Sequence, residues 1–143
     1  MSSSFYLFLG GVNLVLHSIW ELLQAEALTT CAGKSWWIKL RNCSVGIVSD
    51  VIYTFALYFV IGWLLGNYNW LAQAGISHYL FVFAFSFAGA YATELTAQKL
   101  NRWHFNRKVP HFPDSWGDVA VTPVLQLPLR AAISYGLAQI IYF

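Results

Sequence analysis

Charge is what this chain has least of. Eight Lys or Arg and six Asp or Glu are spread over 143 residues, 10% in all, against 58% hydrophobic residues. A soluble globular domain carries about 25% charged residues, so the composition excludes one and predicts an integral membrane protein. The chain also lacks internal repeats, low-complexity stretches and any phosphate-binding glycine pattern. Nothing near His104 and His111 has the tight spacing of a metal site, so no metal ligand is assigned, and the sequence names no cofactor. The alternating segments of about ten residues that build a transmembrane β-barrel are missing.

What is present is four apolar runs, Phe5 to Ala27, Val45 to Gly66, Ile76 to Gln98 and Val119 to Tyr142. Each reaches the roughly 20 residues that cross a bilayer as a helix, and only a helix satisfies its own backbone there. The predicted fold is all-α, an integral membrane four-helix bundle forming a single transmembrane domain over residues 1–143. Lys34, Lys39 and Arg41 lie in the first connection and Lys99, Arg102, Arg107 and Lys108 in the third. The second connection, Asn67 to Gly75, has no charge, and neither end of the chain has Lys or Arg. The positive-inside bias then predicts loops one and three in the cytoplasm and both termini on the non-cytoplasmic side, in a bacterial inner membrane.

Several local readings follow. Met1 to Ser4 lack the positive charge of a signal peptide and Glu21 interrupts the apolar run, so the first run is expected to stay as a span although Leu28-Thr29-Thr30-Cys31 resembles a lipoprotein processing site. In this orientation Cys31 and Cys43 are cytoplasmic thiols, and in the opposite one they could close a disulfide loop. Trp36, Trp37, Trp63, Trp70, Trp103 and Trp116 fall near span ends, as interfacial anchors do. Loop three, Lys99 to Gly117, is expected along the inner membrane surface, with His104 and His111 solvated rather than ligating metal.

The functional signal lies in the polar residues inside the runs. Asn13, His17, Glu21 and Gln24 are spaced four, four and three, and Asp118, Thr122, Gln126, Arg130 and Ser134 are each four apart, so both sets form helical stripes. The second run adds Asp50, Tyr53, Thr54 and Tyr58, and the third adds Ser86, Thr93 and Glu94. Turned to lipid such stripes would cost several kcal/mol, so they are expected to face one another. At about 1.5 Å rise per residue, Glu21, Asp50, Glu94 and Gln126 share one level, with His17 and Arg130 deeper. Three carboxyls against one guanidinium require that His17 is protonated, that one or two carboxyls hold protons, or that a cation is bound. Pro123 and Pro128 are expected to free carbonyls and kink the last helix.

The segment His17-Ser18-Ile19-Trp20-Glu21-Leu22-Leu23-Gln24, with Asp50 and Thr122-Pro123-Val124-Leu125-Gln126, resembles a group of small four-helix bacterial membrane proteins that carry W-E-x-x-Q and P-x-L-Q elements and have no assigned activity. Trp20-Glu21 also resembles the N-x-x-W-E element of integral-membrane terpene cyclases of the fungal meroterpenoid type. His17 stands at the Asn position, and those enzymes have more spans. That resemblance implies Glu21 as a proton donor and Asp50 as a second acid. Sterol-isomerase-like membrane proteins, with acids and His inside a small bundle, offer an analogy of chemistry alone.

These readings predict a membrane-embedded protein that binds, or performs acid–base chemistry on, a hydrophobic isoprenoid- or lipid-like molecule. Glu21, His17 and Asp50 are the candidate catalytic groups, and Gln24, Glu94, Thr122, Gln126 and Arg130 the candidate substrate-binding ones. The other readings are a proton- or cation-coupled transporter or channel-forming homo-oligomer, brought together at Gly10, Gly11, Gly62, Gly66 and Gly89, and an accessory subunit of a larger membrane complex. Membrane lipids are expected partners and nucleic acid is not.

Overall fold

The structure, a computed structural model, describes residues 2–25, 31–102, 104–107 and 109–143. Four long helices account for most of it: α1 (Ser3–Gln24), α2 (Trp36–Leu64), α3 (Ile76–Lys99) and α4 (Val121–Tyr142). Short 3₁₀ helices at Trp70–Gln73 and Asp114–Trp116 lie in the second and third connections. Among the described residues the only β pairing is one isolated bridge between His111 and Ala120. All four helices are long and apolar enough to cross a membrane. Large apolar side chains point outward on each, among them Leu7, Val45, Ile76 and Ile140. An outer surface of that kind suits lipid and not water.

The helices follow the apolar runs with two displacements. α2 begins at Trp36 rather than Val45. Ser35 is extended, and its carbonyl accepts from the N–H groups of Ile38 and Lys39, both at 3.1 Å. Lys39 and Arg41 end an apolar run but not a helix, since both are good helix formers. α4 begins after Asp118, which has left-handed backbone (φ 54°) and therefore stands outside the helix. At the other end of α2, Gly66 (φ 62°) closes a Schellman motif, with Asn67 N–H donating to the Gly62 carbonyl at 2.9 Å and Gly66 N–H to Trp63 at 3.1 Å. Ala27, the Leu28–Thr30 segment, Trp103 and Lys108 lie outside the described residues.

α1 lies between α2 and α4, α4 lies between α1 and α3, and α2 meets α3 only lightly. One point of that last seam is the Tyr53 hydroxyl, which donates to the Phe85 carbonyl at 3.4 Å. α1 buries a single row four residues apart: Phe5, Leu9, Asn13, His17 and Glu21. Its upper half enters an apolar cluster with Leu57, Tyr58, Ile61, Trp70, Leu71, Ala131, Tyr135 and Ala138. Its lower half is the polar row. A second cluster, Ala90, Val119, Val124 and Leu127, joins α3 to α4.

Trp70 corrects the sequence reading. Trp36, Trp37, Trp63 and Trp116 are exposed, as interfacial anchors are, but Trp70 is 1% exposed. The 3₁₀ turn folds it back over the bundle end, where its indole N–H donates to the Tyr58 carbonyl at 3.2 Å and its ring meets Tyr135 edge-on. A tryptophan whose N–H finds a buried acceptor is core rather than anchor. It closes the end of the bundle opposite loops one and three.

Candidate functional site

Asp50 is the hub. Its Oδ2 lies 2.9 Å from His17 Nδ1 and 3.0 Å from Arg130 Nη2, joining α1, α2 and α4 at one oxygen. His17 is wholly buried and Arg130 is 4% exposed, while the Asp50 side chain keeps 22%. A carboxylate oxygen accepts, so His17 Nδ1 carries the hydrogen and Nε2 faces away from Asp50. Arg130 also donates from Nε to the Gln126 carbonyl at 3.3 Å, and its guanidinium sits 5.9 Å above the Trp20 ring. Both contacts hold the fork in place.

Glu21 sits beside this set with amide partners. Gln24 Nε2 donates to its Oε1 at 3.1 Å and Gln126 Nε2 to the same oxygen at 3.4 Å. Trp20 Nε1 donates to Gln24 Oε1 at 3.0 Å, which fixes the Gln24 amide. Glu21 is 7% exposed and packs on α2 at Gly46, where a Cβ would stand 3.5 Å from its Oε2. Gly46 thus gives the carboxyl room against the neighbouring helix.

Further bonds hold the helices in register around these groups. The Tyr135 hydroxyl donates to the Thr54 carbonyl at 2.6 Å, and Thr54 Oγ1 to the Asp50 carbonyl at 3.0 Å. The Ser134 hydroxyl lies 3.0 Å from Asn13 Oδ1 and 2.8 Å from the Arg130 carbonyl, sharing one O–H between them, and Asn13 Nδ2 donates to Leu9 at 2.7 Å. Pro128 lies inside α4 and deprives the Val124 carbonyl of its helical donor, between Gln126 and Arg130. Pro123 frees nothing. It sits in the first turn, where its missing N–H has no helical partner to lose, and the Val119 carbonyl accepts from Phe112 at 2.8 Å instead.

Three buried atoms of this connected set have no hydrogen-bond partner among the described residues: His17 Nε2, Gln126 Oε1 and Arg130 Nη1. Ser86 Oγ on α3 is likewise unpaired among the described residues; buried polar atoms are nearly always paired, so each of these is open to a further partner. Nearby, a groove of about 380 Å³ is lined by Trp20, Leu23, Gln24, Phe105, Val109, Pro110 and Thr122. Loop three roofs it. That loop is strapped to the start of α4 by Val121 N–H on Pro110 O and Phe112 N–H on Val119 O, both at 2.8 Å. Gln24 belongs to both the groove wall and the Glu21 cluster.

The structure therefore brings Glu21, His17, Asp50, Gln24, Gln126 and Arg130 into one hydrogen-bonded neighbourhood, with Thr122 at the groove. Glu94 is buried on the row of α3 that holds Ser86, Ala90 and Ala97, on a helix that packs on α4 and meets α2 only lightly. Thr93 is exposed and bonded to the Gly89 carbonyl. Asp118 pairs outside the bundle with Arg107 at 3.3 Å. Cys31 and Cys43 are two buried thiols clustered with Ala25 and Ile47, and Cys43 Sγ is 3.8 Å from the Glu21 carbonyl oxygen. Among the described residues no three His, Cys, Asp or Glu side chains gather into a metal-binding group.

Sequence reasoning gave Trp20 and Tyr135 no place in the site. Trp20 precedes Glu21 and is four residues from Gln24, the helical neighbour distance, and that spacing was the available signal. Tyr135 lies on an apolar stretch and has none. Comparisons with models of known protein families, with characterised proteins and with solved structures give no match, so the site stands on its own geometry.

Proposed function

We propose that this protein binds a lipid- or isoprenoid-like molecule within the membrane and transfers a proton at its polar end. The observation that carries the reading is the set of three unpartnered buried atoms, His17 Nε2, Gln126 Oε1 and Arg130 Nη1, beside two carboxyls. In this scheme a ligand's polar group pairs with those atoms while its chain lies in the groove against Trp20 and Thr122, whose wall shares Gln24 with the Glu21 cluster. Glu21 is the proton donor in this scheme. His17, oriented by Asp50, exchanges protons through Nε2, while Arg130 offsets the carboxylate of Asp50 and Gln126 orients the ligand. The likeness of Trp20-Glu21 to the acid element of membrane terpene cyclases agrees with that role. We place loops one and three in the cytoplasm and both termini outside, in a bacterial inner membrane, on the distribution of Lys and Arg.

The transporter or channel reading needs an assembly of copies. The glycines that would join them are partly occupied within the chain. A Cβ on Gly62 would meet Tyr68 Cδ1 at 2.7 Å, and one on Gly89 would run into the Tyr53 hydroxyl. That favours the ligand-binding reading.

The deciding experiment is mass spectrometry of small molecules that co-purify, after gentle extraction, with the wild-type chain and with Glu21→Gln. A hydrophobic molecule enriched on the wild type and changed in amount or structure on the variant is expected. The same lipids on both, in the proportions of the bulk membrane, would remove the proposal.

A further inference from the structure

Resting on the ligand reading above, we infer that the polar end of the bound molecule is an uncharged hydroxyl group, not a phosphate and not a carboxylate. Two independent observations lead there, the charge of the site and the hydrogen-bonding character of its three open atoms.

The charge comes first. Arg130 is the only buried Lys or Arg among the described residues, and its Nη2 is already committed to Asp50 at 3.0 Å. Glu21 brings a second carboxyl to the same neighbourhood, engaged by neutral amides. With Glu21 holding the proton it donates, Arg130 and Asp50 balance, and while His17 is singly protonated no reserve of positive charge remains. An anionic headgroup needs a cluster of cations or fork-like donors to leave water. Lys99, Arg102 and Arg107 lie on loop three or the last turn of α3 and are exposed, and near the start of α2 Arg41 is exposed and Lys39 partly so. None of them belongs to the set around Asp50.

The open atoms agree. Gln126 turns its amide nitrogen to Glu21, so its Oε1 is an acceptor seeking a donor. Arg130 Nη1 is a donor seeking an acceptor. His17 Nε2 is an acceptor in the tautomer that Asp50 imposes and a donor when the ring is doubly protonated. A hydroxyl gives one hydrogen and takes two, so placed between them it pairs with Gln126 Oε1 and Arg130 Nη1 together, and with His17 Nε2 as well when the ring is doubly protonated. A carboxylate or a fully ionised phosphate offers only acceptors. It would set its oxygens against the lone pair of Gln126 Oε1, leaving that atom buried and unpaired.

The test uses the full chain in mild detergent micelles and equilibrium binding of two tritiated chains, geranylgeraniol and oleyl alcohol, each also as its methyl ether and its monophosphate. The free alcohol is expected to bind at least about tenfold more tightly than its ether or its phosphate, since each of these strands a buried hydrogen-bonding atom. Gln126→Met is expected to bring alcohol and ether to within about threefold of each other, the donor-seeking atom being gone. If that variant does not fold, the wild-type ratios decide alone. Equal binding of alcohol and ether overturns the inference, the open atoms then being filled by water, and so does tighter binding of the phosphate. In both cases the lipid-ligand reading stands. If none of the six probes binds, that reading falls and the inference with it.

Discussion

Replacing Asp50 by Asn and Arg130 by Met, singly and together, interrogates the hub of the site. Asp50→Asn keeps the shape and one acceptor oxygen but leaves a guanidinium that is 4% exposed without its counter-charge, held by neutral acceptors and the Trp20 face. Stranding one member of a buried pair costs about 3–5 kcal/mol, and the retained contacts put this variant near the low end, about 3. Arg130→Met leaves the Asp50 carboxylate with His17 at 2.9 Å and with the 22% exposure of its side chain, so its cost falls to about 2 kcal/mol. The gross attraction across 3.0 Å is about 5 kcal/mol at an effective dielectric of 20, and desolvation removes about half of it. In the double variant neither charge is stranded. Its loss is therefore expected to be about 2–3 kcal/mol smaller than the two single losses combined. The assay is unfolding in mixed detergent micelles followed by circular dichroism. Additivity within about 0.5 kcal/mol would refute a buried, coupled pair.

Gly89→Ala should lose about 1–3 kcal/mol, because its Cβ would fall 2.8 Å from the Tyr53 ring and force apart the only lightly joined seam, α2 with α3. Gly11→Ala, with nothing within 4 Å of the new atom, should be neutral or gain up to about 1 kcal/mol; equal melting of the two variants would contradict this assignment. Alkaline phosphatase, which is active only outside the cytoplasm, is expected to work when fused after Phe143 or inserted at Asn69 and to be silent in loop three; the reverse pattern would invert the proposed orientation.

The spans were legible because lipid demands apolar length, a property of local composition. Polar residues on α1 were legible for the same reason the helix is: Asn13, His17 and Glu21 recur at four residues and face one way. On α4 the spacing carried Gln126, Arg130 and Ser134 correctly but overran at Asp118, because a period of four continues in the letters after the backbone has turned left-handed. α2 began early for a related reason, a charged helical turn being invisible to a search for apolar runs. Burial in the connections was not legible at all. Trp70 looks like any tryptophan at a span end, and only the 3₁₀ turn after Asn69 sends it inward. Glu94 and Asp50 are alike in the sequence, yet their helices have different neighbours, since α3 packs on α4 and hardly touches α2. Which helices neighbour one another is a property of the whole bundle that no stretch of residues encodes.

That neighbour relation has a consequence for how the chain is made. The site is closed by the first and last helices, and roughly 110 residues separate His17 from Arg130. At about 5–20 residues per second of synthesis, the guanidinium emerges some 5 to 20 seconds after the histidine. Throughout that interval the newborn hairpin of α1 and α2 holds its acid against an imidazole alone, and its polar row has no α4 to face. A ribosome that stalls before α4 leaves a hairpin in lipid with Asn13, His17 and Glu21 uncovered, the kind of half-built surface by which a cell can recognise an unfinished membrane protein.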